Sequence, residues 1–146
     1  MEIFELIENG DYHAIREEIE SFDLEIVNEE GDTPLHYAVK NEDFELLEIL
    51  LAYVPDIDVE NEEGDTALHL AIKTSDIELV QLLIDSGANL DVKDSKKRTP
   101  SVLASQLKED VIYRLLKEAS NENLGGKVKM KKNINNKPRK LEESEY

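Results

Sequence analysis

Cysteine is absent from the 146-residue chain. That excludes disulfide frameworks, thiolate-bound zinc and thiol nucleophiles, and it fits an intracellular, cytoplasmic protein. Long apolar runs are also missing. The longest lies near Ile49–Val54, far short of the roughly 20 residues a membrane-spanning helix needs. The opening Met1-Glu2-Ile3-Phe4-Glu5 has no basic n-region and no apolar stretch, so no secretory signal peptide is expected. Basic residues are scarce: 17 against 34 acidic ones, a formal net charge of −17. The imbalance lies in residues 1–120, with 10 basic and 30 acidic, whereas residues 121–146 hold 7 and 4. An acidic body repels phosphates, which argues against direct nucleic-acid binding. The length suits one domain with a core of useful size.

The strongest feature present is internal self-similarity. Thr33-Pro34-Leu35-His36 recurs as Thr66-Ala67-Leu68-His69 and, weakened, as Thr99-Pro100-Ser101-Val102, with the Thr residues 33 positions apart each time. The register extends past the motif. Leu46-Leu47 and Ile49-Leu50 align with Leu79-Val80 and Leu82-Leu83, then with Ile112-Tyr113 and Leu115-Leu116. Leu24, Ile57 and Leu90 share a phase, as do Asp23, Asp56 and Asn89.

Each period has the same physical parts. Gly31-Asp32-Thr33-Pro34 and Gly64-Asp65-Thr66-Ala67 read as a turn entering a helix. Gly permits a positive φ, the Thr hydroxyl caps the first free amides, and Pro34 falls where its missing N–H does no harm. The spacing predicts helices over about Pro34–Asn41 and Phe44–Tyr53, then Ala67–Thr74 and Ile77–Ser86. Gly87 ends the last of these as a left-handed cap residue. In the first period the helices are expected at about Glu2–Glu8 and Tyr12–Glu20, with a break at Asn9-Gly10-Asp11.

The pattern resembles the ankyrin repeat, with its period of 33 and T-P-L-H-x-A motif. Thr33-Pro34-Leu35-His36-Tyr37-Ala38 matches the motif in full, and Thr66-Ala67-Leu68-His69-Leu70-Ala71 lacks only the Pro. Ser86-Gly87-Ala88-Asn89-Leu90 is similar to the family's closing segment. The resemblance covers about residues 1–120. It implies an all-α solenoid of stacked helix-turn-helix units joined by β-turns, about four repeats in all. Two central repeats, 28–60 and 61–93, lie between capping repeats 1–27 and 94–120. Lys97 stands where other turns carry Gly, and Val102 where other motifs carry His, which leaves the geometry of the fourth turn open. Asn121 to Gly126 reads as a linker. Residues 127–146 read as a basic, disordered tail: a localisation signal, a phosphate-binding arm, a strap over the acidic body, or a solubility tail.

The sites follow from this register. Asn28-Glu29-Glu30-Gly31-Asp32-Thr33 repeats residue for residue as Asn61-Glu62-Glu63-Gly64-Asp65-Thr66. Stacking sets such turns about 10 Å apart, so Glu29, Glu30, Asp32, Glu62, Glu63 and Asp65 are expected to form an acidic ridge. Ser95, Lys96, Lys97 and Arg98 reverse the sign at the next turn. The strip suits a partner protein with a basic patch. The resemblance implies further contacts at the ends of the first helices, namely Lys40, Asn41, Lys73, Thr74 and Gln106, with Tyr37 and Leu70 as apolar anchors.

His36 and His69 share one motif position in successive repeats and are expected to be neighbours in space. The resemblance gives them a structural role, hydrogen-bonding within and between turns with Thr33 and Thr66 as local partners. No constellation supports catalysis. A working carboxylate pair needs one group in a desolvating pocket, no Gly-rich phosphate loop occurs, and no G-x-S-x-G elbow occurs. The expected protein is therefore a monomeric, non-catalytic interaction module without cofactor or metal. Two alternatives stand beside it: an acidic inhibitor that imitates nucleic acid to block a basic nuclease or nucleic-acid-binding protein, and an enzyme or metal-binding protein using His36 and His69.

Overall fold

The computed structural model describes residues 2–125. Eight α-helices run along them, with no strand among the described residues. They form four successive pairs: α1 (Ile3–Asn9) with α2 (Tyr12–Glu18), α3 (Pro34–Lys40) with α4 (Phe44–Leu51), α5 (Ala67–Thr74) with α6 (Ile77–Asp85), and α7 (Pro100–Gln106) with α8 (Asp110–Gly125). α2 tightens into a 3-10 turn at Ile19–Ser21.

One local chemistry starts each kind of helix. The hydroxyls of Thr33, Thr66 and Thr99 accept from the N–H of His36, His69 and Val102, opening α3, α5 and α7. The carboxylates of Asp11, Asp43 and Asp76 accept from the N–H of Ala14, Leu46 and Leu79, opening α2, α4 and α6. Each such cap is worth about 1 kcal/mol. The first helices of the pairs end alike. Gly10, Glu42, Ser75 and Lys108 all take left-handed φ, between 52° and 70°, which reverses the chain into the next helix.

Helices this short are marginal alone and depend on packing. α3, α5 and α7 pack side by side, and α6 packs on α8. Leu35, Leu46, Leu47, Leu50, Leu68, Ile72, Leu79, Leu83, Leu103 and Ile112 are wholly enclosed and form one core along the stack. The pairs are also joined at their helix-helix corners. The Tyr12 hydroxyl donates to Asp43, and Arg16 pairs with Glu45 at 2.9 Å. The Asp43 hydrogen bond, burial, and the charges of Asp43 and Glu45 push the Tyr12 phenol up to about 12.

The helices fall where the periodicity places them, with one correction. Asn121 to Gly125 is not a linker: α8 continues through it to Gly125. Extending a formed helix costs little. The basic tail from Lys127 onward lies outside the described residues.

Candidate functional site

Each turn is folded by one side-chain oxygen. Asn28 Oδ1 accepts from the N–H of Glu30 at 2.9 Å and of Asp32 at 3.0 Å. Asn61 Oδ1 does the same for Glu63 and Asp65, and Asp94 Oδ1 for Lys96 and Arg98. Gly31, Gly64 and Lys97 take φ of 82°, 85° and 65°. The fourth turn therefore repeats the geometry of the others, which answers the question that Lys97 left open. A left-handed L-residue costs about 1–2 kcal/mol, and the bonds to Asp94 hold it there. At Gly31 a side chain is also excluded by space, because a Cβ would meet Glu62 at 2.6 Å. The Glu62 N–H donates to the Gly31 carbonyl at 3.1 Å, which ties one turn to the next.

The acidic ridge needs correction. Glu29, Glu30, Glu62 and Glu63 are exposed. Asp32 and Asp65 are not: they are 0% and 3% exposed. Asp32 accepts from the Lys40 ammonium at 2.7 Å and from the Asn61 amide at 2.9 Å. Asp65 accepts from Lys73 at 2.9 Å. A buried carboxylate must be paired and hydrogen-bonded, so these two hold the turns rather than face a partner. The exposed ridge has four carboxylates. Of the residues that fold the turns, Asn28 and Asn61 were legible only as the shared Asn of the two identical hexapeptides, and Asp94 lies outside them.

The helix-end residues are placed variously. Lys40 and Lys73 keep about a third of the side chain exposed while held by Asp32 and Asp65. Burial alone lowers the Lys40 ammonium, but the hydrogen bond and charge of Asp32, with the fields of Glu63 and Glu30, outweigh it and keep its pKa above the ordinary value. Asn41 is exposed and its amide donates to the Tyr37 carbonyl. Thr74 is half-buried and bonds the Ala71 carbonyl. Lys96 is free on the surface among the described residues. Arg98 is largely covered and paired with Asp94 at 2.9 Å, and it also donates to Gln106, which is exposed. Burial pushes the Asp94 carboxyl up, yet the N–H groups of Arg98 and Lys96 and the Arg98 guanidinium hold it below the carboxylate range. Tyr37 is half-buried, its ring edge-on to Phe4. Leu70 is 5% exposed and belongs to the core, not to an exposed anchor.

His36 and His69 are fully buried. His36 Nδ1 lies 2.7 Å from the Thr33 hydroxyl, and its Nε2 lies 3.0 Å from the carbonyls of both Val59 and Asp65. His69 meets the Thr66 hydroxyl and the Arg98 carbonyl, each at 2.9 Å. Carbonyls only accept, so Nε2 carries the proton and Nδ1 accepts. Nδ1 thus closes the turn of its own repeat, and Nε2 joins that repeat to the next turn. Burial holds the His36 imidazole below its ordinary value, against the Asp65 carbonyl and the Asp32 charge, and the Lys40 charge adds to the lowering.

Stacked helix pairs, a turn before each of the last three and histidine bridges joining those three define a repeat solenoid. The profile of ankyrin repeats (3 copies) matches residues 3–94 and 41–131, and the chain belongs to the ankyrin repeat family. Ankyrin repeats are in general protein–protein interaction modules, typically non-catalytic. The solved ankyrin repeat domain of Bcl-3, described as a unique member of the IkappaB protein family, is 32% identical, with a TM-score of 0.64. The match covers 66% of this chain and 43% of that one, so this chain spans less than half of that domain. In all, 405 chains of solved structures match, and a likeness so widely shared defines the fold rather than a partner. No curated protein matches the chain. Among the described residues no helix is long and apolar enough to cross a membrane.

Proposed function

We propose that the chain is a non-catalytic module that docks a basic surface of a partner protein along its turn tips and concave face. The observation that carries this reading is the exposed quartet Glu29, Glu30, Glu62 and Glu63 on two consecutive, mutually bonded turns. The turns are fixed by internal hydrogen bonds, so little ordering entropy is lost when a partner arrives. The exposed Lys96 and Lys97 close the strip with the opposite sign and favour one orientation of a partner whose own charge changes along the contact. That reversal also interrupts any long phosphate-like array, which favours a protein partner over the nucleic-acid-mimic reading.

A pull-down from source lysate tests it. Wild-type chain runs beside a variant with Glu29, Glu30, Glu62 and Glu63 changed to Lys. A protein retained by the wild type, lost from the variant and released by raised salt is the expected result. Equal retention by both overturns the acidic docking strip.

A further inference from the structure

The gap between the first and second repeats is unlike the gaps that follow. Counting back from the left-handed residues Gly10, Glu42 and Ser75, Phe4 takes the position of His36 and His69, and Glu8 that of Lys40 and Lys73. In the later gaps an imidazole bonds across to the following turn. A lysine lies beside it, and Lys40 stands in the fields of Glu30 and Glu63. In the first gap the ring is a phenyl with nothing to donate, and the cation is replaced by a carboxylate.

The result is an open groove of about 720 Å³. Its floor is apolar. Phe4 meets Tyr37 edge-on, with centroids 5.9 Å apart and planes at 75°, and Val27 beside them is 47% exposed. Its rim carries Glu8, Glu29 and Glu30, all exposed. The groove thus offers an aromatic and aliphatic base under three negative charges, at the position where the register elsewhere supplies an ammonium.

We propose that this groove anchors one arginine side chain from an extended basic segment of a partner protein. The methylene stem lies on Phe4, Tyr37 and Val27, and the guanidinium sits among Glu8, Glu29 and Glu30. Arginine suits the groove better than lysine, because its planar fork stacks on rings and bridges two carboxylates at once. The proposal rests on the reading of the chain as a protein-binding module and moves the anchor from the ridge centre to the first gap.

The test is an NMR titration of the ¹⁵N-labelled full chain with a short peptide bearing a central arginine between leucines, beside its glutamine analogue. Saturable shifts at Phe4, Glu8, Val27 and Tyr37 are expected with the arginine peptide. Affinity should fall about tenfold in Glu8→Lys and in Tyr37→Ser, and less than about twofold in Glu62→Gln with Glu63→Gln, in line with the sensitivity of close charge pairs. Unchanged spectra outside the groove would show that the variants stay folded. Equal binding of the glutamine analogue overturns the arginine assignment. Shifts centred on Glu62 and Glu63, or no saturable shifts at all, overturn the groove. Equal binding of the analogue or an absence of saturable shifts leaves the docking strip to the pull-down, whereas shifts centred on Glu62 and Glu63 would move the arginine onto the strip itself.

Discussion

The central turns and the last turn share a backbone and invert its chemistry. Asn28–Asp32–Lys40 and Asn61–Asp65–Lys73 hold the same spacing as Asp94–Arg98–Gln106. In the central turns the middle residue is an anion that accepts from the lysine after it, at 2.7 Å and 2.9 Å. In the last turn the middle residue is a cation that donates to the glutamine after it, at 3.2 Å. The anion moves to the first position and pairs with Arg98 inside the turn. Position fixes that a donor meets an acceptor, while which side gives the proton is free. The inversion also changes what each turn needs from its neighbours. Asp32 is reached by Asn61 of the next repeat, whereas Asp94 and Arg98 satisfy one another without a successor.

The sharpest way to break this comparison is at the motif histidine. His36→Ala leaves the Val59 and Asp65 carbonyls without their donor and opens a void, and should cost about 3 kcal/mol in urea unfolding. Val102, the corresponding residue of the last repeat, is 44% exposed, so Val102→Ala should cost less than about 1 kcal/mol. Similar losses for both would sink the idea that the histidine bridges matter. A pH arm sharpens it. The folded pKa of His36 lies below its ordinary value, chiefly because of burial. Its contribution is therefore fully present above about 6.5 and is lost as pH falls through and below that value. Between about pH 7.5 and about pH 5.5 the wild type should lose more stability than His36→Gln.

The next effect tests the inversion itself. Arg98→Asp alone places a second carboxylate against buried Asp94 and should cost about 2–3 kcal/mol. Adding Asp94→Asn and Gln106→Lys rebuilds the central pattern and should recover stability to within about 1 kcal/mol of wild type. A triple variant as unstable as the single one would show that the last turn depends on its own residues, not on a transferable arrangement.

The smallest effects concern the positive-φ residues. Gly31→Ala should cost about 2 kcal/mol, from left-handed strain and the contact with Glu62. Lys97→Gly should gain up to about 1 kcal/mol, because the strain is removed from an exposed residue. Shifts in the thermal midpoint would show both, and a loss in the second case would mean that the Lys97 side chain holds the turn.

Most of the fold was legible because the repeat carries its own instructions. The Thr and Asp caps, the Gly turns and the apolar phase all recur at the same period, so each repeat reinforces the others. The site was less legible. Asp32 and Asp65 look like exposed turn acids in an acidic chain, and nothing local marks them as buried. Their partners Lys40 and Lys73 lie eight positions on, beyond the reach of a turn argument. Leu70 and Tyr37 share a motif position but differ in exposure, because Tyr37 borders the first gap and Leu70 does not. That gap depended on aligning the first repeat by its left-handed Gly10, which sets Glu8 against Lys40. The run of α8 through Asn121 was hidden by its polar composition, which reads equally well as a linker.

Both motif imidazoles reach forward along the chain, His36 to the third repeat and His69 to the fourth. The stack therefore has a direction in which it comes apart. Peeling away the first pair of helices strips neither imidazole of its acceptor. Peeling away the last pair with its turn takes the Arg98 carbonyl and strands a buried ring at the new end. In a quasi-one-dimensional array each repeat answers mainly to its neighbours, so among the described pairs the first should open more readily than the last. The end that yields first is the one that borders the aromatic groove.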